Sequence, residues 1–194
     1  MSTRKISFLT VLFLLIAFLW VDLGGAQETK VPFTAETPVV LTNPGQAPEY
    51  SIPYLLAQRI NLPITMNLNL EGKELNGFKT LIMIIGGSGK GLGAAGTNMQ
   101  SEAERAKQLI ATAKEKGIKI IGMHLGGEGR RGPNSDMMIE LVTPHCDYVI
   151  VKADGNEDGI FNRICEEHKI PLTIIEKSLA LVDILSMLFG KVAE

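Results

Sequence analysis

Short apolar runs rich in Val and Ile recur along the chain, separated by stretches in which apolar residues return every three to four positions. The runs predict strands at residues 38–41, 64–68, 80–85, 118–125, 148–151 and 172–175. The stretches between them predict helices. Ser51, Ile52 and Pro53 open one that runs to about residue 60, with Asn61 as its stop. Ser101 with Glu104 reads as a capping box for a helix carrying Ala103, Ala106, Leu109, Ile110 and Ala113 and ending at Gly117. Asn134 and Ser135 cap a short segment through Leu141, before Pro144. Asn156 leads into a helix that buries Ile160, Phe161 and Ile164, and Ser178 caps a last one with Val182, Leu185, Leu188 and Phe189.

Alternating strands and helices imply a mostly parallel sheet covered on both faces, the α/β class. Leu81-Ile82-Met83-Ile84-Ile85 is apolar without a break, as a strand buried on both faces must be. Right-handed crossovers then give a doubly wound, flavodoxin-like or Rossmann-like three-layer sandwich. The expected order is 2-1-3-4-5 with the sixth strand at an edge.

The first residues carry a different pattern. Arg4 and Lys5 precede an uncharged apolar run at residues 6–20, and small residues end at Ala26. That is a secretory signal layout over residues 1–26, cleaved after Ala26, and the run of 15 is short of the ~20 residues that span a bilayer. Retention as an uncleaved anchor is the alternative. A polar lead-in, 27–37, and a single α/β domain, 38–194, follow, and the expected location is periplasmic or extracellular. Residues 27–194 carry a net charge of −3, so no strong pull toward nucleic acid is expected. Export leaves Cys146 and Cys165 open to two readings, buried thiols or a disulfide between a strand start and a following helix.

In open α/β sheets, ligands bind at the carboxyl ends of the strands. Three of the segments expected there are glycine-rich. Residues 86–96 contain six glycines, Gly86, Gly87, Gly89, Gly91, Gly93 and Gly96, whose backbone amides can converge on an anion. A Walker A loop is excluded, because Ile84 stands where its first glycine belongs and Gly91 replaces the Ser/Thr. The short-chain dehydrogenase pairing is excluded too, because its Tyr-xxx-Lys partner would be Tyr148 and Lys152, on a strand. A second loop echoes the first: Leu125-Gly126-Gly127-Glu128-Gly129-Arg130 matches Ile85-Gly86-Gly87-Ser88-Gly89-Lys90.

If the two strands are neighbours, Lys90, Arg130 and Arg131 can line one rim, above His124. Pairing of the arginines with Glu128, Asp136 and solvent is the competing reading. The expected ligand site is Asn43, Gln46, Gly87, Ser88, Gly89, Lys90, Gly91, His124, Glu128, Arg130 and Arg131, with no metal and no cofactor. Asp154-Gly155-Asn156-Glu157-Asp158-Gly159 lacks the spacing of a calcium loop and reads as a turn before a helix.

The string from Gly86 to Gly96, then His124-Leu125-Gly126-Gly127-Glu128-Gly129-Arg130-Arg131-Gly132 with Ser135-Asp136, resembles an uncharacterised family of exported bacterial proteins, a domain of unknown function. Asn43-Pro44-Gly45-Gln46, Asp154-Gly155-Asn156 and Ile170-Pro171-Leu172-Thr173 extend the resemblance, with Asn-Pro where smaller residues are expected. It implies export and one compact domain, and no activity. Two functions stand: a binding protein for a small anionic molecule, serving a membrane transport or sensing partner, and an enzyme on a phosphorylated or carboxylated substrate. In the second, His124 is the acid/base, assisted by Glu128 or Asp136. Ser88 lacks the GxSxG setting of a hydrolase nucleophile.

Overall fold

The structure, a computed structural model, describes residues 33–191. Six strands, β1 (Val39–Thr42), β2 (Ile64–Met66), β3 (Thr80–Ile84), β4 (Lys119–His124), β5 (Tyr148–Lys152) and β6 (Leu172–Ile175), form one sheet in the order β2-β1-β3-β4-β5-β6. Every pairing is parallel, with Leu41 opposite Ile82, Met83 opposite Gly122 and His124 opposite Val151. The chain is therefore a doubly wound α/β sandwich, in the strand order that the sequence predicts.

Among the described residues, six α-helices connect or follow the strands: α1 (Ser51–Gln58), α2 (Gly89–Ala95), α3 (Met99–Glu115), α4 (Pro133–Val142), α5 (Ile160–His168) and α6 (Leu181–Leu188). Alternate residues of each strand face opposite sides. Leu81, Met83 and Ile85 meet α3, α4 and α5 through Leu109, Met138, Ile139 and Phe161. Ile82, Ile84, Ile121 and Ile150 meet α1 and α6 through Ala57, Leu181 and Leu185. Burying one such Ile or Leu fully contributes about 1.5–3 kcal/mol, so the continuous apolar strands are the main source of stability. Because α1 covers one face and α3 to α5 the other, the winding reverses between β1 and β3.

Several boundaries differ from the pattern reading. Helix α3 starts two residues before Ser101: Asn98 Oδ1 accepts the Ser101 amide at 3.0 Å, so the upstream Asn is the cap and the Ser101–Glu104 box does not form. Helix α4 starts at Pro133 after Gly132, not after Asn134 and Ser135, because Pro fits the first helical position, which needs no amide donor. Ser178 opens a single 3-10 turn, and α6 begins at Leu181. The glycine-rich stretch is not all loop, since Gly89–Ala95 is helical.

The end of the expected polar lead-in is packed. Phe33 stacks on Tyr148 with ring centroids 5.1 Å apart, and the Ala35 amide donates to the Leu188 carbonyl at 2.8 Å. The signal layout of residues 1–26 lies outside the described residues.

Candidate functional site

At the reversal of winding between β1 and β3, sheets of this kind hold their ligands. Here that crevice is filled by the protein's own loops. Gln46 and Gly87 form an antiparallel bridge, and the Ser88 amide donates to the Gly45 carbonyl at 2.9 Å. Glu102, 5% exposed, reaches up from α3 and accepts from the Gly45 amide at 3.0 Å and from Gln46 Nε2 at 3.2 Å. A buried carboxylate needs a counter-charge. Arg105 supplies it at 2.6 Å, and its other nitrogen donates to Thr42 Oγ1 and the Leu70 carbonyl. Asn43 is buried as well, with its amide donating to the Ala47 carbonyl at 3.0 Å. The amides of Asn43 and Gln46 are thus used in holding the first loop.

The loop after β3 makes a cap. Ser88 precedes α2, and its Oγ accepts the Gly91 amide at 3.1 Å. Lys90 and Gly89 are exposed on the first turn of this seven-residue helix.

The loop after β4 is held on two sides. Arg130 donates to Glu49, which follows the first loop, and Glu128 stays exposed in the Glu128–Arg130 turn. Arg131 Nε donates to Asp136 at 2.8 Å. Its terminal nitrogens take both oxygens of Asp158 at 2.9 and 2.8 Å, and one also donates to the Gly155 carbonyl at 3.0 Å. These carboxylates raise the guanidinium further above its usual range, and Arg131 in turn holds the Asp158 carboxyl down to about 2. The two arginines of the expected cation rim are therefore ion-paired, while Lys90 stands exposed.

His124 lies beneath this loop, 1% exposed. Its Nδ1 donates to the Ile85 carbonyl at 2.9 Å, an assignment that follows because a carbonyl only accepts. That choice leaves Nε2 as the bare acceptor, buried without a partner against Gly155. Burial pushes the imidazole pKa down and the Arg131 charge adds to this, against the pull of the Ile85 and Gly127 backbones and the Glu49 charge.

The open space lies one strand further on. A cavity of about 310 Å³ is lined by Gly87, Arg131, Gly132, Pro133, Asn134 and Ser135. The Gly87 amide donates to Ser135 Oγ at 3.0 Å. A Cβ on Gly87 would fall 2.6–2.8 Å from Asn134 atoms, so glycine is what lets the start of α4 approach β3. A ten-residue helix begins here beside a guanidinium; Pro133 has no amide and the Asp136 amide bonds the Gly132 carbonyl at 2.8 Å, so its positive end offers the Asn134 and Ser135 amides. The arrangement suits a small anion.

Of the expected site residues, the cavity brings together Gly87 and Arg131. Asn43, Gln46, Ser88, Gly89, Lys90, Gly91, His124, Glu128 and Arg130 do not line it. The cavity also takes in Gly132, Pro133, Asn134 and Ser135, and Asp158 pairs with its arginine from outside it. Gly132-Pro133 directly after two arginines was the available signal, since Pro at a first helical position places a helix start beside them. Among the described residues no cluster of three or more His, Cys, Asp or Glu is placed to hold a metal ion.

A family model described as "Domain of unknown function (DUF6305)" matches residues 36–189. The chain belongs to that family. No curated protein matches it. The family's span takes in all six strands and every residue of the cavity, so the site belongs to the family domain and not to an appendage. Both cysteines of that domain are buried free thiols. Burial raises the pKa of each, that of Cys165 to about 11, away from the thiolate that reactive cysteines need.

Proposed function

We propose that the protein is an exported binding protein for a small anionic molecule, which it holds in the cavity between Gly87 and the first turn of α4. The observation that carries this reading is the lining itself: one guanidinium and one helix start face 310 Å³ of open space at the carboxyl ends of β3 and β4. A volume near the lower end of the usual ~300–1,000 Å³ range fits a small metabolite and not a dinucleotide. A membrane transport or sensing protein is the partner such a receptor would serve. The enzyme reading draws less support, because His124 is buried below the rim and does not line the cavity.

Thermal unfolding with succinate and with inorganic phosphate tests the reading. An anion at ~100 times its dissociation constant adds about 2.7 kcal/mol to the native state. The Arg131→Ala variant, alone or with Arg130→Ala, should lose that gain, and Arg130→Ala alone should keep it. A full anion effect in Arg131→Ala would overturn the proposal.

A further inference from the structure

Arg131 is held unevenly. Its Nε goes to Asp136, in the first turn of α4, and one terminal nitrogen reaches the Gly155 carbonyl at 3.0 Å, so both contacts tie it to the frame. The remaining contact is to Asp158, on the turn before α5. That side chain is 53% exposed against 17% for Arg131, and beyond Arg131 its carboxylate accepts the Ile160 amide of its own turn, at 3.3 Å. Asp158 can leave without disturbing the guanidinium, which keeps two anchors. Arg131 lines the cavity and Asp158 does not.

The geometry points to Asp158 as an internal stand-in for the ligand: the anion that enters is a carboxylate, which displaces Asp158 from Arg131 and takes over its two-point hold. This rests on the binding function proposed above and adds a ligand class and a built-in competitor. The class follows from what the fork already grips. Two parallel N–H···O contacts at 2.9 and 2.8 Å to one planar carboxylate are the arrangement a guanidinium end offers, and a second carboxylate reproduces it atom for atom. The competition is weak, as that of an exposed ion pair must be, so Asp158 holds the guanidinium when the cavity is empty and yields when a ligand arrives.

The test is calorimetric titration of the full chain, wild type and Asp158→Asn, with succinate and separately with inorganic phosphate at neutral pH. Removing a half-exposed competitor worth up to ~1 kcal/mol should tighten succinate binding by up to about fivefold, and phosphate binding by less. Equal succinate affinity in the two proteins would overturn the displacement, and an equal gain for both anions would overturn the carboxylate assignment. Absence of binding by either protein to either anion would remove the cavity reading itself, a different outcome. Carbon-13 spectra of the wild type need no variant: on saturation with succinate, the Asp158 carboxyl resonance should move and that of Asp136 should not. Binding that leaves both unmoved would contradict the exchange.

Discussion

Two loops with the same local string, Gly-Gly-x-Gly-cation, take different forms at the carboxyl ends of neighbouring strands. After β3, Ser88 accepts the Gly91 amide and the chain coils into α2, leaving Lys90 on its outer side. After β4, Glu128 stands at the matching position, a single 3-10 turn forms, and the following arginines are drawn sideways onto Glu49, Asp136 and Asp158. Gly127 has φ +64° and ψ −159°, a region essentially closed to other residues, whereas its counterpart Gly87 sits in an antiparallel bridge. Glycine spacing alone therefore does not define an anion cradle. What decides is whether the residue between the glycines can cap a helix, and which carboxylates lie within reach of the cation.

The largest expected effect breaks the second loop alone. Gly127→Ala forces a side chain into that closed region and brings a Cβ to 2.4 Å from Asp154 Oδ1, so it should cost about 3 kcal/mol in urea unfolding. The alanine at Gly89 in the first loop meets nothing within 4 Å and lies in a helix, so it should stabilise by about 0.5 kcal/mol. Similar losses at both sites would erase the distinction.

Next in size is the cap. Ser88→Ala should cost about 1 kcal/mol, and Glu128→Ala at the matching position less than about 0.5 kcal/mol. A larger loss at Glu128 would mean that the exposed carboxylate holds something that the fold does not account for.

The smallest effect is on pH dependence. The Asp158 carboxyl is depressed to about 2 by Arg131, below the ordinary value near ~3.9. A depressed carboxylate stabilises the native state above its unfolded pKa, and the gain is lost as pH falls from about 4 to about 2. With Asp158 half exposed, the loss is at most ~1 kcal/mol, and Arg131→Gln should remove it. An unchanged acid slope in that variant would show that Asp158 is held by something else.

Much of the fold was readable because burial on both faces writes itself as unbroken runs such as residues 81–85, and because the winding rules leave few orders for six such strands. The site was less readable. Gly87 and Arg131 could be picked out, but that Gln46 would be taken by Glu102, 56 residues on, and Arg131 by Asp158, 27 residues on, depends on how α3 and the β5 loop pack. Pairing of that range has no local signature. Asn98 outcompeting Ser101 as a cap is a nearer case: both residue types cap well, and the choice rests on where the chain leaves α2.

The proposed binding function puts an anion between Gly87 and the start of α4, not on the helix that follows Ser88. Amide and arginine side-chain shifts in a nitrogen-15 titration of the full chain with succinate test it most directly. The amides of Gly87, Gly132, Asn134 and Ser135 and Nε of Arg131 should move together along one saturation curve, while those of Gly89, Lys90 and Gly91 stay in place. The largest shifts at Gly89, Lys90 and Gly91, with the α4 start unmoved, would contradict it.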